Sequence, residues 1–143
     1  MNQSKPIFIS SDDHSRLVKI INDFARSSKK LPEPLRHLHR ELQRAAILDR
    51  DILPAGTVSL HSRVQLRDLE TDETEEWTLT LPEFANFDER KLSVLAPIGT
   101  AILGYSIGDE IEWDTPGGTR YLRVEKVEHR APTQPEKPRS LYG

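Results

Sequence analysis

Near Pro54 the spacing of apolar side chains changes, and no single kind of secondary structure can span both sides of the change. Upstream, Leu17, Ile20, Ile21 and Phe24, then Leu35, Leu38, Leu42, Ala45 and Ala46, recur at intervals of three and four, as one face of a helix requires. Downstream the period is two: Val64 and Leu66 alternate with Arg63, Gln65 and Arg67. Helices followed by strands in a chain of 143 residues predict an α+β fold. We divide the chain into an N-terminal arm with two helices (residues 1–50), a sheet domain (51–131) and a tail (132–143). Pro132, Pro135 and Pro138 predict no fixed structure for the tail.

Helix one has Ser10 or Ser11 as its cap and Asp12 and Asp13 in the first turn, where the helix dipole favours anions. It is expected to run to about Ser28. Pro32 and Pro34 deny helix to the residues before them, so Ser27 to Pro34 forms a turn. Helix two is expected from about Leu35 to Asp49 or slightly beyond. Two antiparallel arms of 15 to 17 residues would extend about 25 Å. The gross apolar burial of such a hairpin is comparable with its ordering cost, so its base should lean on the sheet domain.

In the second unit, strands are expected over Thr57–Leu60, Arg63–Leu69 and Glu75–Leu81. Pro97 suits the first turn of a short helix that Gly104 closes, and Glu110–Asp114 and Thr119–His129 form a hairpin about Thr115 to Gly118. Val127 falls out of step with Leu122 and Val124, which predicts a bulge near Glu125 and Lys126.

Several chemistries are excluded by composition. With 0 cysteines there are no disulfides or thiolate ligands. The longest early apolar run, Ile7 to Ile9, is too short for a signal peptide, and no run of about 18 apolar residues exists, so a cytoplasmic, non-membrane protein is the expectation. Phosphate loops, nucleophile elbows and dinucleotide fingerprints are missing. His37 and His39 lie about 200° apart on a helix and cannot chelate together. The acidic run Asp68, Glu70, Asp72, Glu73, Glu75 and Glu76 lacks the EF-hand pattern and reads as a solvated turn. No metal or cofactor is expected.

The net charge of -3 hides an asymmetry, since residues 12–50 hold nine Lys or Arg against six Asp or Glu, and residues 51–131 hold eight against sixteen. Arg36, Arg40 and Arg44 repeat every four residues, with Arg26, Lys29 and Lys30 toward the turn. This stripe reads either as a solvated helix face or as a contact for a nucleic-acid backbone or an acidic protein surface.

Ser93, Ala96-Pro97-Ile98-Gly99, Ala101, Leu103-Gly104, Gly108-Asp109 and Thr115-Pro116-Gly117-Gly118 together resemble the C-terminal domain of the Gre-type transcript cleavage factors. Leu38 to Ala46, Ser62-Arg63-Val64 and Arg67-Asp68-Leu69 resemble the shorter Rnk family, regulators of nucleoside diphosphate kinase. The likeness covers most of residues 7–130. It implies an FKBP-like antiparallel sheet domain with one short helix, preceded by the helical hairpin, that docks on the rim of the RNA polymerase secondary channel. Pro97, Ile98 and Gly99 are the docking residues it carries over, although all three also suit a helix entry or the core.

In the Gre factors a longer hairpin ends in an acidic pair that helps hold catalytic magnesium. Here the turn offers one carboxylate, Glu33, beside Lys29 and Lys30, so the resemblance implies a non-enzymatic regulator that competes with Gre factors without stimulating cleavage. Two alternatives stand beside it. One is a peptidyl-prolyl isomerase, suggested by the FKBP-like fold; the other is direct binding of nucleoside diphosphate kinase, suggested by the Rnk name.

Overall fold

A computed structural model describes residues 6–27 and 30–129. Strand β1 (Phe8–Ser10) leads into helix α1 (Ser11–Ser27), and helix α2 (Glu33–Arg44) leads into strand β2 (Ala46–Leu48). Ser10 is the cap: its Oγ accepts the Asp13 N–H at 3.1 Å. Helix α2 starts at Glu33 rather than Leu35: Pro32 is its cap residue and Pro34 lies in the first turn, where a missing N–H costs no helical bond, and that turn closes on the Pro32 carbonyl through the N–H groups of Leu35 and Arg36. Lys29 and the tail lie outside the described residues.

Helix α2 stops at Arg44 rather than near Asp49. Ala45 is already extended, and Ala46, Ile47 and Leu48 pair in parallel with Phe8, Ile9 and Ser10. The apolar stripe continues past the helix end, but the ladder with β1 takes the backbone groups that another helical turn would have used.

Beyond a short 3₁₀ turn, five strands form the second sheet: β3 (Arg63–Asp68), β4 (Thr74–Thr80), β5 (Lys91–Ser93), β6 (Glu110–Thr115) and β7 (Gly118–Glu128), in the order β5-β4-β3-β7-β6. Helix α3 (Pro97–Ile102) lies between β5 and β6 in the chain. The sheet is not wholly antiparallel, because β5 runs parallel to β4. Two 3₁₀ turns between these strands carry the chain back across the sheet end. Thr57–Leu60 is not a ladder strand: it makes one isolated bridge, Thr57 to Ser106, and Val58 exchanges backbone hydrogen bonds with Tyr105 and Gly104. The bulge in β7 falls at Glu125, since Gln65 opposes Lys126 and Leu66 opposes Val124.

One face of the sheet carries Val64, Leu66, Leu79, Ile111, Leu122 and Val124, all buried. Leu17, Ile21, Leu35, Leu38 and Leu42 of the helices belong to the same apolar cluster. Helix α2 packs against α3, and the Phe8 N–H donates to the Gly104 carbonyl at 3.3 Å, so the helices rest on the sheet domain. Gly104 makes this seat. Its φ is +84°, and a Cβ there would lie 2.8 Å from the Ile7 Cβ, so both the backbone and the close approach of the arm require glycine.

Candidate docking surface

The turn from Ser93 to Pro97 is tied to itself before α3 begins. The Ser93 carbonyl accepts the Ala96 N–H at 3.0 Å, the Ser93 Oγ accepts the Leu95 N–H at 3.0 Å, and the Thr100 hydroxyl donates to the Val94 carbonyl at 2.7 Å. The three residues carried over from the resemblance part company here. Pro97, at the first helical position, is exposed; Ile98 is only 7% exposed and part of the core. Gly99 is buried, and an added Cβ would stand 2.2 Å from the Ser93 carbonyl oxygen. Pro97 is thus the member that faces solvent, with Leu95, Ala96 and Ala101 partly exposed around it. Ile98 and Gly99 set the depth at which α3 sits.

The basic stripe is threaded with carboxylates. Glu33 accepts from Arg36 at 2.7 Å and from Arg40 at 3.2 Å, and Arg36 also donates to the Leu31 carbonyl at 3.0 Å. These hydrogen bonds, Arg36 first, hold the Glu33 carboxyl below its usual 4.5. Arg44 turns inward, pairing with the buried Glu41 at 3.0 Å and reaching the Tyr105 hydroxyl at 3.5 Å. It joins helix to sheet domain, whereas Arg36, Arg40 and Lys30 remain near the turn. Among the described residues no group of three or more His, Asp or Glu is placed to hold a metal ion.

A residue that pattern reading treated only as a helix-start acid does more. Asp13 is 4% exposed, and its Oδ2 accepts the Leu60 N–H at 3.0 Å across 47 positions of sequence. Burial pushes its carboxyl above the usual 3.8, against the pull of that hydrogen bond and of Arg16. The acid therefore ties α1 to the segment entering β3. No local signal distinguishes it from Asp12, which is exposed and faces Arg50 at 3.6 Å.

The aromatic side chains are divided in the same way between support and surface. Tyr105 and Trp77 are buried, and Trp113 sits under the Arg120 guanidinium, 5.6 Å from its ring centre. Phe87 and Tyr121 are exposed.

Comparison with known proteins identifies the family. Residues 53–129 match the family model described as transcription elongation factor, GreA/GreB, C-term. The regulator of nucleoside diphosphate kinase of Escherichia coli K12 is 33% identical over 129 residues, covering 89% of this chain and 93% of the relative. GreA of Chloroherpeton thalassium is 40% identical over 87 residues, 61% of this chain but only 55% of that longer protein. A solved GreA/GreB elongation factor from Nitrosomonas europaea superimposes with a TM-score of 0.71 at 34% identity, over 88% of this chain and 100% of the other. The chain therefore belongs to the GreA/GreB family of transcription elongation factors, in the short form typified by the regulator of nucleoside diphosphate kinase.

Proposed function

We propose that this protein is a non-enzymatic regulator that binds RNA polymerase at the secondary-channel entrance, competes there with Gre factors, and does not stimulate RNA cleavage. Docking is through the surface around Pro97, in the FKBP-like sheet domain. The reading is supported above all by the turn: Ser27 to Pro34 holds a single carboxylate, Glu33, and it is already paired with Arg36 and Arg40, so the turn lacks the two neighbouring carboxylates that would share a magnesium ion. Length argues the same way. The 17 residues of α1 rise about 25 Å, as expected for the longer arm, and the 12 of α2 about 18 Å, so the projection is short. The basic residues Lys29, Lys30, Arg36 and Arg40 would then lie nearest any nucleic acid in the complex, while Arg44 serves the joint.

The test uses bacterial RNA polymerase in stalled, backtracked complexes. The protein should bind, should be displaced by a Gre factor, and should leave the transcript uncut. Transcript cleavage comparable to a Gre factor overturns the non-enzymatic reading, and absence of polymerase binding overturns the docking reading. Binding should fall for Pro97→Asp, whose side chain suits the first turn of a helix and so leaves the fold intact. Co-elution with nucleoside diphosphate kinase in place of polymerase would favour the partner that the Rnk name suggests.

A further inference from the structure

Among the described arginines, Arg90 alone has no carboxylate partner. On the sheet domain Arg63 pairs with Glu128, Arg67 with Asp72 and Glu125, Arg120 with Asp68 and Glu75, and Arg123 with Glu110 and Glu125. Arg90 instead lays its guanidinium over Trp77, 4.4 Å from the ring centre. The same indole meets Phe87 at 5.4 Å, and Phe87 is 74% exposed.

The turn that presents this pair is held rigidly. Asn86 and Lys91 exchange two backbone hydrogen bonds of 3.0 and 2.9 Å, and the Asn86 side chain accepts the Glu89 N–H. Arg90 itself adopts φ +60°, a left-handed conformation that a side chain disfavours and that persists only where its surroundings impose it. A rigid, strained turn that displays a solvent-facing phenyl ring beside an uncompensated cation is poorly explained by stability alone.

Its position says which contact it joins. The turn precedes β5, and the Leu95–Pro97 surface follows β5, which is three residues long. In β5, Lys91 and Ser93 direct their main-chain groups away from β4, and the flanking turns take up both groups of Lys91, through Asn86, and the Ser93 carbonyl, through the Ala96 N–H. The edge is thereby closed to an added strand and left to recognition by side chains.

We infer that Phe87 and Arg90 form a second contact for the partner that takes Pro97, and that they recognise a protein surface presenting a carboxylate next to an apolar side chain. The carboxylate supplies the charge that Arg90 lacks, and the apolar group covers Phe87. A nucleic acid fits less well, because one guanidinium beside an exposed phenyl ring offers no run of cations for a phosphate backbone to follow. The inference rests on the polymerase reading above.

Fluorescently labelled full-length protein titrated with core RNA polymerase tests it. Phe87→Ala, at an exposed position, should keep the wild-type thermal midpoint and weaken binding about tenfold. Arg90→Glu should weaken it at least as much, and Arg90→Lys should retain part of the affinity at low salt, a retention that screening removes as salt rises. Wild-type affinity for both Phe87→Ala and Arg90→Glu, with Pro97→Asp defective, overturns this contact and leaves the docking reading standing. Failure of the wild type to bind overturns both.

Discussion

The helical unit and the sheet domain use the same charged residues in opposite ways. In the helices most ion pairs are local: Arg36 with Glu33, Arg44 with Glu41, and Lys19 with Asp23, each three or four residues apart. In the sheet domain most cross strands, as when Arg120 reaches Asp68 and Glu75, 52 and 45 residues away. Local pairs hold a helix face whether or not the rest of the chain is folded; cross-strand pairs exist only once the register is set. The joint between the units follows the second pattern. Ile7 against Gly104, Asp13 against Leu60, and Arg44 against Tyr105 all bring together distant residues. The lesson is that the helices supply their own surface chemistry, but their placement is decided by the sheet domain.

The strongest way to break that relation is to change α3. Gly99→Ala would drive a Cβ into the Ser93 carbonyl, backbone that cannot give way, and should cost about 3 kcal/mol or more in denaturant unfolding. Gly104→Ala should cost about 2 kcal/mol through its positive φ and the Ile7 contact, with hydrogen exchange rising first in β1.

Asp13→Asn comes next. It leaves the Leu60 N–H an amide oxygen and removes the Arg16 pair, and should change stability by less than about 1 kcal/mol at neutral pH, where burial already penalises the ionised wild type. The pH dependence has a definite sign. The folded-state pKa of Asp13 is raised by burial, so its favourable contribution is complete below the unfolded value of 3.8 and declines as pH rises through the folded value. The wild type should therefore gain on Asp13→Asn as pH falls from neutral toward 3.8. A gap that narrows instead would contradict the burial assigned to this carboxyl.

Glu33→Gln should have the smallest effect on folding, because the pairs it removes are exposed and screened, and the thermal midpoint should stay within error of the wild type. Its effect belongs to binding: Arg36 and Arg40 lose their carboxylate, so any affinity for an anionic surface should rise and become more salt-dependent. Asp23, Glu33, Asp68 and Glu125 all have lowered pKa values, chiefly through hydrogen bonds from Lys19, Arg36, the Glu70 N–H and Arg123. Their stabilising contributions are present above the ordinary carboxylate range and are lost on acidification through the lowered values, opposite to Asp13.

What the amino-acid order settled unaided was whatever depends on neighbours in the chain. The two helical stripes, the proline-bounded turn, the Pro97 helix ended by Gly104, the β6–β7 hairpin and the displaced phase of Val127 are local patterns of period and backbone preference, and the motif around Ala96 to Gly99 carried the family. Tertiary structure alone decided the rest. It ended α2 at Arg44 by offering β1 as a partner, added β5 in parallel, sank Ile98 and Gly99 while leaving Pro97 outside, and turned Asp13 into a tether. It also left Arg90, among the described arginines, without a carboxylate partner. These outcomes turn on which distant groups come within a few ångströms, and a one-dimensional pattern cannot encode that distance until packing has fixed the register and the depth of each element.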